Sequence, residues 1–339
     1  MPLASSGAVC YRAAVDHGKS SALAELLSES ISVEEREGIY IDRHWKPVGV
    51  TEQFIEDADV YHDRYFVRLD FLALMDRCLT VSGVVRDDSQ RVLDIGSGGG
   101  SSVFALCQLL PAAQLVASDI SPQLLHILAK LAAKHEGLQR RITACCFDLH
   151  VSFFRENCFD LVVGAAILHH LLDPAQALRN VASALKPGGR LILVEPMEAG
   201  SLLTAIAYER ALVVLQALGQ ENGGLAKLMR AIRWDIQSRL GVPLATPITA
   251  VLDDKWVFND PYLKDLSREL GLSEVQIHPA QEDLSRIFEG ELRSLIRVSG
   301  NEGMEIPLAV LEEVQEFDRA IGLELKRKMC PTGIIVFKK

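Results

Sequence analysis

A dense group of glycines behind an aspartate stands in the stretch RVLDIGSGGGS, which begins at residue 91. The acid and the glycines with the spacing D-x-G-x-G-x-G are Asp94, Gly96, Gly98 and Gly100. Because glycine loses more conformational freedom on folding than any other residue, so many glycines indicate that a ligand approaches the main chain closely. The pattern predicts a strand, a ligand-binding loop that includes Ser97, and a helix that begins near Ser101.

Two classes of ligand compete for such a loop, namely dinucleotides and S-adenosylmethionine. The dinucleotide fingerprint G-x-G-x-x-G places a pyrophosphate on a helix N-terminus and requires a third glycine where this chain has Ser101. A carboxylate at Asp94 would repel a pyrophosphate, whereas it suits the ammonium group of a methionine moiety. The spacing favours S-adenosylmethionine, with a glycine turn made only for tight packing as the other interpretation.

Two further acids stand at the ends of the next two predicted strands. Asp119, in LVASDIS, can accept hydrogen bonds from both hydroxyls of an adenosine ribose, or it can simply cap a helix. Asp148, in ACCFDLH, can accept a hydrogen bond from an adenine amino group while the main chain of Phe147 reads the ring; the alternative is an ordinary turn aspartate. The order of the acids favours an adenosine ligand.

Candidate catalytic residues follow the fourth and fifth predicted strands. His169 and His170 come after FDLVVGAA, where a histidine can accept a proton near neutral pH, bind a metal, or form part of the cofactor wall. Glu195 ends RLILVEP, where an acid can orient a histidine, bind a cationic acceptor or cap the next turn. The sequence leaves the presence of a metal undecided.

Aromatic and basic residues outside the strands offer further contacts. Tyr61 and Tyr65 lie one helical turn apart in an aromatic-rich segment, so they share a face that either packs in the core or covers a sulfonium. Lys227, Arg230 and Arg233 recur at helical spacing and either receive a carboxylate or diphosphate or form a solvated face.

The elements that must position these residues follow from the periodicity of apolar residues. Residues 1–85 carry apolar residues at intervals of three and four and are predicted to form a helical cap or lid. From residue 86 onward, short apolar strands alternate with helical segments, which predicts βαβ units around a mostly parallel sheet. Helical insertions are expected at about 200–250 and 280–329, and a final strand at TGIIVFKK.

Composition limits the class of protein. The chain has 339 residues, of which 49% are hydrophobic and 24% charged, as in ordinary globular domains. A net charge of −10 argues against nucleic acid as a partner. Seven cysteines without a C-x-x-C pair predict reduced thiols, and neither an export signal nor a membrane-spanning run is visible. We expect a cytoplasmic protein that does not bind membranes, and leave a homodimer open.

The run from Arg91 to Pro196 resembles the class I S-adenosylmethionine-dependent methyltransferases, in the group that includes ubiquinone/menaquinone-type C-methyltransferases. The resemblance implies S-adenosyl-L-methionine as cofactor and an α/β, doubly wound, mostly parallel seven-stranded sheet with an antiparallel last strand. The resemblance implies cofactor contacts from the glycine loop and the strand-end residues, and we add the neighbouring Ser97 and Ile120 and the aromatic Tyr61. The predicted cofactor-binding residues are Asp94, Gly96, Ser97, Gly98, Gly100, Asp119, Ile120, Phe147, Asp148 and Tyr61. The candidate catalytic residues are His169, His170, Glu195 and Tyr65.

The function expected from these features is methyl transfer to a small metabolite enclosed by the cap and the insertions. The preferred interpretation is C-methylation of an enolisable 2-oxo acid, in which a base removes the proton next to the carbonyl. The alternative is O- or N-methylation of a hydroxylated or amino natural product. One alternative is a nucleotide-dependent oxidoreductase, which nicotinamide binding without S-adenosylmethionine binding would favour. The other is a non-catalytic binding protein, which cofactor binding without turnover would favour.

Overall fold

A single large sheet organises the part of the chain that the structure describes. The structure is a computed structural model and describes residues 22–46, 71–241, 254–273 and 275–339. The strands of the sheet are β1 (Val33–Arg36), β2 (Ile39–Asp42), β3 (Arg91–Ile95), β4 (Gln114–Asp119), β5 (Ile142–Cys146), β6 (Phe159–Ala165), β7 (Leu185–Pro196), β8 (Gln276–Pro279) and β9 (Thr332–Lys338). Their spatial order is β1-β2-β5-β4-β3-β6-β7-β9-β8.

The centre of the sheet is parallel and its edges are antiparallel. Strands β2, β5, β4, β3, β6 and β7 run parallel, while β9 pairs antiparallel with both β7 and β8. The chain winds outward from β3 in both directions, through β4 and β5 on one side and β6 and β7 on the other. Ligands of open parallel sheets bind outside the carboxyl ends of the strands at such a reversal, so the loop after β3 lies at the expected position.

Helices cover both faces of the sheet. They are α1 (Phe71–Ser82), α2 (Ser101–Leu109), α3 (Pro122–Ala133), α4 (Glu136–Gln139), α5 (Pro174–Ala184), α6 (Glu198–Ala217), α7 (Gly224–Arg239), α8 (Asp260–Glu269), α9 (Ile287–Val298), α10 (Leu308–Ala320) and α11 (Leu323–Lys328). The buried apolar side chains form two clusters. In one, the sheet packs against α1, α2 and α3, and in the other it packs against α5 to α10. Burial on both faces explains the uninterrupted apolar runs of the central strands.

Helix starts follow local sequence signals. Ser121 caps α3 by accepting a hydrogen bond from the Leu124 N–H, and Asp173 caps α5 by accepting one from the Gln176 N–H. Each cap is followed by a proline, Pro122 or Pro174, whose missing N–H would have no helical partner in the first turn. These caps place the strand-to-helix turns of the site at defined positions.

The prediction of a purely helical N-terminal segment is wrong for residues 33–42. These residues form the antiparallel β1–β2 hairpin, and β2 pairs in parallel with β5. Ile39 and Ile41 are buried in this position. Pairing with the distant strand β5 buries these apolar residues, whereas the local spacing of apolar residues suggests burial on one face of a helix. Within the described residues, the sheet therefore has the seven predicted strands and two more, β1 and β2. A boundary near residue 85 stays a prediction, and residues 1–21 and 47–70 lie outside the described residues.

The predicted antiparallel last strand is confirmed, and helices lie in both predicted insertions. Helices α6 and α7 occupy the first insertion, α9 to α11 occupy the second, and the final strand β9 is antiparallel. The six described cysteines are free and buried, whereas Cys10 lies outside the described residues. Among the described helices, none combines the length and apolar character needed to cross a membrane.

Candidate active site

The glycine loop has a backbone that requires glycine. Gly96, Gly98 and Gly100 have φ values of 66°, 51° and 102°, in the left-handed region that side chains disfavour. A Cβ atom at Gly96 would lie 2.6 Å from Cγ1 of Ile167. The loop therefore packs against the turn that follows β6, and α2 begins directly after Gly100, as predicted.

Asp94 supplies a buried carboxylate beneath the loop. Its side chain is 0% exposed, and Oδ2 accepts a hydrogen bond of 2.5 Å from Oγ of Ser102. Oδ1 is buried without a hydrogen-bond partner among the described residues. Burial raises the pKa of Asp94 to about 7, although the Ser102 hydrogen bond opposes this shift. A desolvated carboxylate with a spare acceptor is suited to a cationic group, such as the ammonium group of a methionine moiety.

Asp119 ties the end of β4 to the glycine loop. Oδ2 accepts the Gly98 N–H at 2.9 Å, and Oδ1 accepts the Ser121 N–H at 2.8 Å. Burial raises the pKa of Asp119, and these backbone hydrogen bonds counteract it. Because each carboxylate oxygen has a second acceptor site, the group can still accept hydrogen bonds from ribose hydroxyls. Ser97, whose N–H donates to the Ser118 carbonyl at 2.8 Å, and the half-buried Ile120 lie beside it.

Asp148 is held by a histidine that the sequence analysis did not identify. Oδ1 of Asp148 accepts hydrogen bonds from the main-chain N–H and Nδ1 of His150, at 2.9 and 2.7 Å. The side-chain hydrogen bond lowers the pKa of Asp148 and raises the pKa of His150. Phe147 is buried and stacks on Phe153 with a centroid distance of 3.9 Å, while its N–H donates to the Asp119 carbonyl at 3.3 Å. That N–H therefore has a partner within the protein, and its predicted contact with an adenine ring stays a prediction.

Glu195 organises the turn after β6. It is fully buried, and Oε1 accepts the N–H groups of Ile167 at 3.0 Å and Leu168 at 2.7 Å. Oε2 lies 2.6 Å from Nδ1 of His169. The carboxylate thus fixes both the single 3₁₀ turn of residues 168–170 and the orientation of the His169 ring, whose Nε2 lies on the side of Asp254.

Asp254 lies close to both histidines, on the side of the His169 ring opposite Glu195. Its Oδ1 lies 3.5 Å from Nε2 of His169 and 3.4 Å from Nδ1 of His170. Hydrogen bonds of the next two residues hold the segment that carries Asp254 against the histidine turn. The Lys255 N–H donates to the His169 carbonyl at 2.7 Å, and Nε1 of Trp256 donates to the Leu171 carbonyl at 2.6 Å. We call His169, His170 and Asp254 the histidine cluster.

Charge in the histidine cluster is strongly coupled. Burial opposes protonation of His169, but the Glu195 carboxylate and Asp254 outweigh it and raise the pKa of His169 to about 9. At Asp254, burial raises the pKa, but the contacts with His169, His170 and Arg239 outweigh burial and hold the pKa well below the usual range. Nη1 of Arg239 lies 3.9 Å from Oδ2 of Asp254, and Arg239 also pairs with Asp235 one turn earlier on α7.

Several predicted contacts lie elsewhere. Tyr61 and Tyr65 are outside the described residues. On α7, Lys227 and Arg230 are exposed and Arg233 pairs with Glu209. The basic residue that reaches the histidine cluster is instead the buried Arg239 of the same helix. No signal in the sequence indicates that Arg239 and Asp254 belong to this site. Each lies more than one complete helix away from the histidines along the chain, and neither belongs to a recognisable motif.

Comparisons with known proteins place the central segment in a family. Residues 93–191 match the family model described as "Methyltransferase domain". Three similar curated proteins each match part of this chain. Demethylmenaquinone methyltransferase of Thermus thermophilus is 31% identical over 139 residues, which cover 40% of this chain and 62% of that protein. The mitochondrial 2-methoxy-6-polyprenyl-1,4-benzoquinol methylase of Caenorhabditis elegans is 28% identical over 141 residues, or 41% and 50% of the two chains.

A ubiquinone biosynthesis O-methyltransferase of Xanthomonas axonopodis pv. citri is 34% identical over 113 residues, which cover 33% of this chain and 46% of that protein. This chain thus spans about half the length of these relatives. Residues 93–191, which match the family model, contain the glycine loop, the three strand-end acids and both histidines of the cluster. Residues 93–191 therefore form a class I S-adenosylmethionine-dependent methyltransferase domain, and its cofactor is S-adenosyl-L-methionine.

Proposed function

We propose that the chain is a methyltransferase that acts on a small metabolite and methylates the carbon next to the carbonyl of an enolisable 2-oxo acid. S-adenosylmethionine supplies a methyl group on a sulfonium, and transfer is an in-line displacement that depends on alignment of donor and acceptor. Asp94 and the glycine loop would hold the methionine part, Asp119 the ribose and Asp148 the adenine. The orphaned Oδ1 of Asp94 and the positive φ of Gly96 fit this cofactor.

The observation that carries the proposal is the position of the histidine cluster. Ile167 packs against Gly96, and the imidazoles of His169 and His170 follow within three residues in the same turn. An acceptor that contacts these imidazoles therefore lies beside the cofactor loop, where the methyl group is delivered. Cytoplasmic location and a small-molecule partner remain parts of the same proposal.

Enolisation needs a group that takes a proton from carbon and a group that stabilises the charge on the carbonyl oxygen. In the histidine cluster, the protonated His169 would stabilise the charge on the oxygen and His170 would take the proton, while Glu195 fixes the orientation of the His169 ring. The His169–Asp254 separation of 3.5 Å exceeds the usual hydrogen-bond length, so an acceptor can compete for Nε2. Arg239 adds a guanidinium behind Asp254, which favours an acceptor with a carboxylate.

Isotope exchange tests this proposal without the methyl-transfer step. The purified chain is incubated in D₂O with a panel of 2-oxo acids and no cofactor, and deuterium next to the carbonyl is followed by NMR. We expect exchange well above the buffer rate, reduced about 100-fold by His169→Ala or His170→Ala, since general acid–base catalysis contributes about 10²–10⁴-fold. His135→Ala, which removes an exposed histidine, should retain the full rate.

Methyl transfer identifies the acceptor atom. The chain is incubated with methyl-labelled cofactor and a panel of 2-oxo acids, phenols and amines, and products are read by mass. A methylated 2-oxo acid supports the proposal. Methylation on oxygen or nitrogen, together with no exchange above the buffer rate, refutes the enolisation step and favours the alternative acceptors.

A further inference from the structure

The histidine cluster has the spacing of a metal site. The ligand atoms that His169, His170 and Asp254 offer all lie within 4.8 Å of one another, and Oδ1 of Asp254 is 3.5 and 3.4 Å from the two imidazole nitrogens. Metal–ligand bonds of about 2.0–2.2 Å place neighbouring ligands of a tetrahedral site about 3.4 Å apart. Hydrogen bonds from N–H to oxygen measure about 2.7–3.2 Å. The two separations from Asp254 are therefore longer than direct hydrogen bonds and equal the spacing of neighbouring ligands around a shared cation.

We propose that His169, His170 and Asp254 bind a divalent transition-metal cation. Two imidazoles and one carboxylate suit the ions from Fe²⁺ to Zn²⁺, whereas Mg²⁺ and Ca²⁺ prefer a shell of oxygen ligands. Three protein ligands leave at least one coordination position open for water or an acceptor. The inference concerns the protein without an acceptor and does not depend on the proposed 2-oxo acid.

Glu195 provides the support that metal-bound histidines usually have. A ligating imidazole donates its second N–H to a carboxylate or carbonyl, which fixes the tautomer and the ring orientation. Oε2 of Glu195 lies 2.6 Å from Nδ1 of His169, and Oε1 is itself held by the N–H groups of Ile167 and Leu168. This arrangement leaves Nε2 as the nitrogen that faces the cluster.

The surroundings of Asp254 also suit a ligand. Its Oδ2 faces Arg239 at 3.9 Å, so Oδ1 is the oxygen directed toward the two imidazoles. The charge of Arg239 is partly balanced by Asp235 on the same helix. Main-chain and indole hydrogen bonds of the two residues that follow Asp254 hold this loop against the histidine turn. The competing interpretation is a protonated His169 bridging two carboxylates.

Direct metal titration separates the two interpretations. The full chain is treated with EDTA, dialysed, and titrated with Zn²⁺ by calorimetry and with Co²⁺ by visible absorption, without cofactor or acceptor. We expect one strong site whose affinity falls at least about 100-fold in His170→Ala and in Asp254→Ala. Glu195→Gln should weaken binding about 10–100-fold, the range for an outer carboxylate. His135→Ala should bind as tightly as the unmodified chain.

Binding of S-adenosylhomocysteine to each variant verifies that the fold persists. No strong site for Zn²⁺ or Co²⁺, or equal affinity in the unmodified chain, His170→Ala and Asp254→Ala, overturns the inference. Metal binding without isotope exchange at a 2-oxo acid keeps the metal site and refutes the proposed acceptor. Exchange in the EDTA-treated protein, with no metal binding, keeps the proposed acceptor and refutes the metal site.

Discussion

Cofactor affinity should depend on the ionisation of one buried carboxylate, that of Asp94. The side chain is fully buried, Oδ1 has no partner among the described residues, and burial raises its pKa to about 7. A bound ammonium group would favour the ionised form and pull this pKa down. Binding at or below neutral pH therefore has to remove a proton from Asp94.

The size of the effect follows from the pKa. If only ionised Asp94 binds, the apparent Kd is multiplied by one plus ten raised to the power pKa minus pH. With a pKa of about 7, the factor is about 11 at pH 6, about 2 at pH 7 and about 1.1 at pH 8. Affinity should therefore be about tenfold weaker at pH 6 than at pH 8, which corresponds to about 1.4 kcal/mol.

Calorimetry with S-adenosylhomocysteine measures this dependence between pH 6 and pH 8. At pH 7, buffers with different ionisation enthalpies should reveal the release of about half a proton per molecule bound. Asp94→Asn should bind weakly and without the pH dependence. Ser102→Ala removes the donor that lowers the pKa, so the steep region should move to higher pH. Asp88→Asn changes an exposed acid and should leave the profile unchanged.

A constant affinity across this range, or a tenfold dependence that survives in Asp94→Asn, would refute the reasoning. In the second case the titrating group would be Asp119, whose pKa burial also raises. The sign for stability is opposite to that for binding. Folded Asp94 holds its proton up to about pH 7, whereas an unfolded aspartate loses it near pH 3.8, so this residue lowers the stability of the cofactor-free protein as pH rises between these values.

Two further predictions concern the glycine loop and the pair formed by Asp148 and His150. Gly96→Ala should lower the free energy of unfolding, measured by urea denaturation, by about 1–3 kcal/mol more than Gly219→Ala. Both glycines have positive φ and the same backbone strain on substitution, but only a Cβ at Gly96 would contact other atoms and overpack the site. Equal losses would contradict the close packing. The imidazole of His150 should titrate above pH 6.5 by NMR, with a return toward 6.5 in Asp148→Asn, since the carboxylate raises the pKa. The stabilisation from protonated His150 is then present below pH 6.5 and lost as pH rises through the higher pKa; an unchanged midpoint in Asp148→Asn would contradict the pairing.

Features that depend on neighbours in the sequence could be predicted without the structure. The buried strands of a parallel sheet are apolar on both faces, so β3 to β7 stand out as short apolar runs. The glycine spacing identifies a loop with positive φ angles, and the residue that follows it begins α2. Asp94, Asp119 and Asp148 could be assigned to one edge because the carboxyl ends of parallel strands meet there.

Features that depend on distant partners could not be predicted in this way. Residues 33–42 form strands because β2 finds an open edge at β5, and local periodicity contains no record of that partner. Asp254 joins His169 and His170 because a loop folds back onto their turn. The type and spacing of nearby residues do not specify such a contact.

The sequence by itself determined which edge of the sheet carries the glycine loop and the three acids, since these residues lie within a few positions of the strand ends. Only the tertiary structure decided the charge and the partners of these groups. Burial leaves one oxygen of Asp94 without a partner, and Glu195 and Asp254 enclose His169 from opposite sides. Solvation and distance between remote segments set both properties, and neither exists before the chain folds.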